Sequence, residues 1–247
     1  MNQHVEHHTH HISQQFNIEL EEVKNHMLEM GGMVEKQLND ALDAIMQADS
    51  GMAQIVRQED DEINAMEVSI DEDCSRILAR RQPAASDLRL VLAVIKAIRD
   101  LERIGDESSK IAKMAIKLSE EGESPRGYVE VRHIGERVSK MVHMALDSFA
   151  RYDIESALAV TREDENVDEE YGSAMREMVT FMMEDPHTIT RVLNIMWALR
   201  ALERIGDHAK NIAEHVIYLV KGTDVRHKGS RKAGKASEEK EQEEEEE

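Results

Sequence analysis

Leu101-Glu102-Arg103-Ile104-Gly105-Asp106 recurs, 101 residues later, as Leu202-Glu203-Arg204-Ile205-Gly206-Asp207. An identical hexamer at a fixed distance is the mark of an internal repeat. The flanking sequence extends it. Ala41-Leu42-Asp43 returns as Ala145-Leu146-Asp147, Asp49 as Asp153 and Asp60 as Asp164, all offset by 104. The offset changes by three residues near Pro83 and Asp185-Pro186, where a connection between helices absorbs a length change cheaply.

The apolar residues on either side have helical spacing. From Phe16 they run Leu20, Val23, Met27, Met30, Val34, Leu38, Ala41, Ile45 and Ala48, alternating near three and four, which puts them on one stripe. Gly51 fits a stop. A second helix is expected from about Met52 to Gln82, with Ile55, Val56, Ile63, Met66, Ile70, Cys74, Ile77 and Leu78 inward, until Pro83 breaks it. Ser86 or Asp87 is expected to cap a third helix through Leu88, Val91, Leu92, Ile95, Ile98 and Leu101 to about Leu118. Gly122-Glu123-Ser124-Pro125 reads as a connection, after which the pattern repeats. The fold class is therefore all-α, with two tandem three-helix bundles at residues 12–123 and 126–221. A polar, His-rich leader (1–11) precedes them. A tail (222–247), first basic and then acidic, follows and reads as disordered because it has almost nothing to bury.

Composition agrees. Of 247 residues only 3% are aromatic, three are proline and 33% are charged, a profile that suits long helices and not sheets. The one cysteine, Cys74, lies on an apolar stripe and reads as a core thiol. No apolar run approaches the ~20 residues of a membrane span, and no signal peptide shows, so a cytoplasmic protein is expected. The net charge is −20. Ten tail residues contribute eight glutamates and one lysine, so the folded part is acidic as well. That excludes a basic nucleic-acid surface and favours cations or basic partners.

The acids are the candidate chemistry. Glu102 and Asp106 are four apart on one helix, as are Glu203 and Asp207, Asp164 and Asp168, and Asp60 and Asn64; such pairs share a face. Each bundle brings a second-helix pair toward a third-helix pair. Like charges at this spacing cost ~0.2–0.5 kcal/mol per pair, and Gly105 and Gly206 cost a helix ~1 kcal/mol each. Oxygen donors in a groove suit a hard or borderline cation such as Mg²⁺, Mn²⁺ or Fe. Arg99, Arg103, Arg200 and Arg204 equally offer ordinary ion pairing, and from the residues alone both readings stand. A di-iron oxidase needs Glu-x-x-His on two inward helices. Glu184 and His187 have that spacing but straddle Pro186. No P-loop or Ser–His–Asp set is present. His4, His7, His8, His10 and His11 read as a polar leader rather than a zinc or nickel site, and the methionines as core filler.

Several stretches resemble the PhoU family. They are Arg80-Arg81-Gln82-Pro83-Ala84-Ala85-Ser86-Asp87-Leu88-Arg89, both copies of Glu-Arg-Ile-Gly-Asp, Ile217-Tyr218-Leu219-Val220-Lys221-Gly222, and the start at His11-Ile12-Ser13-Gln14-Gln15-Phe16-Asn17. The resemblance covers about residues 11–228. It implies two three-helix bundles, often dimeric, and a non-enzymatic negative regulator of the phosphate-starvation response. It implies an adaptor between the ATPase subunit of a phosphate ABC transporter and a sensor histidine kinase. It also implies metal ions (Mg, Mn, Fe or Zn) on (Glu/Asp)-x-x-x-Asp motifs, which here are Asp60, Glu102, Asp106, Asp164, Asp168, Glu203 and Asp207. Asn64 departs from that pattern and weakens the first set. A di-iron carboxylate enzyme and a plain structural bundle are the alternatives.

Overall fold

The computed structural model describes residues 3–121 and 128–222, with side chains from residue 14 onward. The connection read at Gly122–Pro125, the leader's histidine side chains and the tail beyond Gly222 lie outside the described residues. Six long helices account for almost all of the remainder: α1 (Gln3–Gln47), α2 (Ser50–Arg81), α3 (Ala85–Glu120), α4 (Tyr128–Arg151), α5 (Ile154–Glu184) and α6 (Ile189–Lys221), with one 3₁₀ turn at Pro186–Thr188 before α6. No strand occurs among the described residues. α1 begins at Gln3, so residues 3–11 continue the first helix instead of preceding it. No proline or glycine interrupts the chain before Gly31, and extending a formed helix is far easier than nucleating one.

The two repeats turn their first corner in the same way. Ala48 and Tyr152 end α1 and α4 with left-handed φ of 53° and 57°. Asp49 N–H donates to Ala44 O at 2.9 Å and Asp153 N–H to Ser148 O at 2.9 Å, the six-to-one bond of a Schellman ending. Each aspartate then caps the next helix. Asp49 Oδ1 accepts from Gly51 N and Met52 N, and Asp153 Oδ1 from Glu155 N and Ser156 N. The recurrence of Asp49 as Asp153 is thus a recurrence of one corner. The start of α3 differs from expectation. Gln82 is left-handed at φ 46°, Ala84 is the N-cap with no side-chain bond, and Asp87 sits in the first turn. There its charge favours the positive end of the helix dipole, and neither it nor Ser86 caps the helix.

On α2 the buried residues are Ala53, Val56, Ile63, Ile70, Cys74 and Ile77. The seam they trace, 53-56-60-63-67-70-74-77, has acids at two of its positions, Asp60 and Glu67. Ile55, expected in the core, is 56% exposed, because it lies about 100° around the helix from Val56. Cys74 is buried, as are Met27, Met30 and Met141, whereas Met183 is 80% exposed.

α3 packs on α1 and α2, α6 packs on α4 and α5, and α3 and α6 pack on each other. These two helices are therefore buried on two faces, and one continuous apolar core runs through both bundles. Polar groups cross the same seam. Asp100 of α3 accepts from Asn211 and meets His208 and His215 of α6, at 2.9–3.0 Å. Burial works against its charge, but the bonds from His208 and His215 hold its carboxyl below the usual range. The buried Glu107 is paired by Lys110 at 2.9 Å and by Arg204, across the seam, at 2.7 Å. The repeated hexamers thus lie on the two helices that form most of the joint between the bundles, α1 and α4 forming the rest.

Candidate functional site

In the first bundle α2 and α3 bring Asp60, Glu102 and Asp106 into one neighbourhood, with Glu67 nearby. Burial, and then the charges of Asp106 and Asp61, push Asp60's carboxyl up; a hydrogen bond from Gln37 opposes them. Burial and Asp106 push Glu102 up, with Glu67 and Asp60 adding to it and Arg103 opposing. Gln37, on the buried face of α1, donates from Nε2 to Asp60 Oδ1 at 3.1 Å and to Val56 O at 3.3 Å. Its Oε1 is buried without a hydrogen-bond partner. Arg103 reaches Asp106 at 3.1 Å and Glu102 at 3.3 Å.

The second bundle assembles all four expected acids. Asp164 is 1% exposed, in the α5 seam position that matches Asp60. Burial first, then Asp164 and Asp207, raise Asp168; burial and Asp207 raise Glu203; burial and Asp164 raise Asp207. Lys210 Nζ lies 2.6 Å from Asp164 Oδ2. Burial disfavours its charge, but the Asp164 bond prevails and the ammonium is raised. Arg200 takes Glu203 Oε1 at 2.6 Å, while Glu203 Oε2 is buried with no hydrogen-bond partner. Carboxyls with raised values bind protons more tightly folded than unfolded. Their contribution favours the fold at low pH and is lost as pH rises from the ordinary carboxylate range through the raised values.

The glycines inside the hexamers face these acids. A Cβ on Gly206 would sit 3.7 Å from Asp164 Oδ1, Met141 Cε and Val167 Cγ1, all ordinary contacts. On Gly105 it would meet Gln37 Oε1 at 3.1 Å and Asp60 Oδ1 at 3.4 Å. Helix packing alone does not require Gly206.

A single three-helix scaffold thus carries the same acidic seam twice. The PhoU domain matches residues 27–115 and again residues 131–216. The chain belongs to the PhoU family. It is 69% identical over 221 residues to the phosphate-specific transport system accessory protein PhoU homolog of Pseudomonas aeruginosa, covering 90% of this chain and 91% of that one. It is 48% identical over 219 residues to the Escherichia coli accessory protein PhoU, covering 89% and 90%. The fold matches the crystal structure of PhoU from Pseudomonas aeruginosa with a TM-score of 0.83 at 68% identity, over 84% of this chain and 100% of that one. It also matches the phosphate transport system regulatory protein PhoU of Streptococcus pneumoniae at 0.79 and 30% identity, over 85% and 99%. The PhoU family is one of accessory proteins of phosphate-specific transport, regulators and not enzymes.

Within this PhoU scaffold the donor chemistry fits an oxygen-liganded cation: crowded carboxylates, an unpartnered buried Glu203 oxygen, and no side chain at Gly206 beside Asp164 Oδ1. As they stand, no three His, Cys, Asp or Glu among the described residues converge closely enough to hold a metal, and Arg103, Arg200 and Lys210 occupy several of the oxygens. Two residues beside the acids carry no sign of their role in the hexamer, Gln37 and Lys210. Gln37 interrupts an apolar seam, which is a legible signal. Lys210 falls three residues past Asp207, and only the position of Asp164 gives it meaning. The repeats differ at both places. Met141 matches Gln37 and Ser109 matches Lys210, so the half-buried Asp60 is held by an amide and its buried counterpart Asp164 by an ammonium.

Proposed function

We propose that the chain is a cytoplasmic negative regulator of the phosphate-starvation response. It acts as a homodimeric adaptor between the ATPase subunit of a phosphate ABC transporter and a sensor histidine kinase. The observation that carries this reading is family membership along both bundles, at up to 69% identity with a phosphate-specific transport accessory protein. Among the described residues no helix is long and apolar enough to cross a membrane, which suits a protein that docks on others. The regulation then rests on differential affinity for two states of the kinase. Moving a partner from 1:99 to 99:1 takes ~5.5 kcal/mol of bias, within reach of an interface of ordinary size.

The same reading places divalent or transition metal ions on Asp60, Glu102 and Asp106 in the first bundle. In the second bundle it places them on Asp164, Asp168, Glu203 and Asp207. A bound cation supplies positive charge where carboxylates crowd. Within the protein, the carboxylates give up their Arg103, Arg200 and Lys210 partners to turn toward it. The buried Asp164 and the unpartnered Glu203 oxygen support the second bundle as the stronger of the two.

A starvation-promoter reporter in a deletion strain tests the regulatory reading. The promoter is expected to stay on in rich phosphate and to be silenced again by the wild-type gene. A reporter that is silent in the deletion strain would refute regulation. Metal analysis of the purified protein against the combined variant D164N/D168N/E203Q/D207N tests the acids separately, and equal metal content would remove them as ligands. Sedimentation reports the dimer.

A further inference from the structure

The second bundle exposes an apolar strip that the first bundle lacks. On α6, Ile189, Leu193 and Trp197 follow at intervals of four and are 41%, 43% and 65% exposed. On α5, which packs along α6 and joins it through the 3₁₀ turn, Val179 and Met183 are also exposed. Met182 and Met196 are half-buried against the core. The repeat offsets give the matching positions in the first bundle as Ser75, Ala79, Leu88, Leu92 and Lys96. Three of the five apolar residues are thus replaced by serine, alanine and lysine on the same scaffold, so the fold does not require them. An exposed tryptophan with aliphatic neighbours is the usual composition of an interface anchor.

The charge around the strip states what covers it. Along α6 the same face continues to Glu203 and Asp207, with Asp168 beside them on α5. At the other end the strip runs into Glu184 and Asp185. The bases on that face of α6 are already engaged, Arg200 by Glu203 and Arg204 by Glu107. On α5 the exposed Arg176, one turn before Val179, is bonded to Ser173 Oγ at 3.0 Å; an apolar strip ended by acids, on a chain of net charge −20, still repels an anionic lipid surface. A second copy laid across a two-fold axis would set acid against acid. From Ile189 to Asp207 the helix rises about 27 Å, the length of about 18 helical residues.

We propose that the α5–α6 edge of the second bundle is the docking site for an amphipathic helix of a partner protein. That helix carries aliphatic residues on one face and lysines or arginines at its ends. Its apolar face packs on Trp197, Leu193 and Met183, and its cations meet the Asp168–Asp207 end. The inference stands on exposure and charge, and does not depend on metal binding or on which transport component is the partner.

Trp197 is the only tryptophan in the chain, so its emission reports this surface directly. The test uses the full chain and two synthetic 18-residue helices with the same leucine face, one with lysine and one with glutamate on the polar side. The lysine helix should shift Trp197 emission to the blue saturably, and the glutamate helix should not. L193K and M183K keep the fluorophore and should each weaken binding about tenfold or more, with circular dichroism and Tm unchanged. D168N/D207N should weaken the lysine helix and flatten its salt dependence. V68K, at an exposed apolar residue of the first bundle, should change nothing. Equal binding of the two helices, equal loss in V68K, or no emission shift would each overturn the proposal. So would a concentration-dependent shift of Trp197 emission without peptide that L193K abolishes, since that would give the strip to a second copy.

Discussion

Replacing Gly206 with alanine separates what this glycine does for the helix from what it does for the acids. Glycine inside a helix is about 1 kcal/mol less favourable than alanine, and a new Cβ at this position meets nothing closer than 3.7 Å. Without metal, G206A should therefore be more stable than the native chain by about 1 kcal/mol, or ~2–4 °C in Tm for a chain of this size. The added methyl stands beside Asp164 Oδ1, in the space into which the carboxylates would turn. The rise in Tm on adding Mn²⁺ should accordingly shrink in G206A. G105A is the internal comparison. Its Cβ would press on Gln37 Oε1 at 3.1 Å, so the propensity gain should be largely offset. The assay is thermal unfolding of native, G105A and G206A protein, with chelator and with Mn²⁺. A fall of several degrees in metal-free G206A would refute the packing argument. A rise with an undiminished Mn²⁺ increment would show that the glycine is not kept for an ion.

Three further perturbations follow from the geometry. K210M leaves the buried Asp164 carboxylate without its ammonium and should cost about 1–3 kcal/mol at neutral pH; chemical denaturation measures the loss, and divalent ions should stabilise this variant more than the native chain. D100A removes the acceptor shared by His208, Asn211 and His215 and should cost about 3 kcal/mol. Asp100's lowered carboxyl contributes stability above the ordinary aspartate range and loses it as pH falls through the lowered value, so the gap between native and D100A in urea titrations should narrow on acidification. A48G relieves a left-handed alanine at φ 53° and should raise stability by about 1 kcal/mol, seen as a higher Tm.

The helices and their duplication were legible because apolar periodicity and the repeated hexamer are both local signals. The corner aspartates could be paired by offset, but their double role needed the left-handed Ala48 and Tyr152 to be seen. The cap of α3 is not legible, because Ser86 and Asp87 are good capping residues standing up to a turn too late; Pro83 and the left-handed Gln82 set the start at Ala85 instead. Ile55 reads as inward from hydropathy alone because a seam with acids at 60 and 67 is hard to phase, and neighbours on a helix differ by 100°. Of the candidate site, the acids themselves could be named, and within each set they lie near enough to raise one another's carboxyls, though no three converge as ligands. Their counter-groups could not, since Gln37 comes from another helix and Lys210 matters only through Asp164. The long contact of α3 with α6 was also hidden: both read as ordinary third helices, although each has a second buried face.

That second face decides what the duplication means for the protein as an object. A half-chain cut at the connection would keep three helices, a full hexamer and its own acids. Yet it would lay bare a strip of α3 or α6 that is dry in the whole molecule, together with Asp100 or its histidines and Glu107 or its arginine. The halves are thus less like two beads on a thread than like two vaults sharing one wall. They should melt in a single step, and neither should be recoverable as a smaller protein. Whatever bends α3 at one repeat must also be felt by α6 at the other.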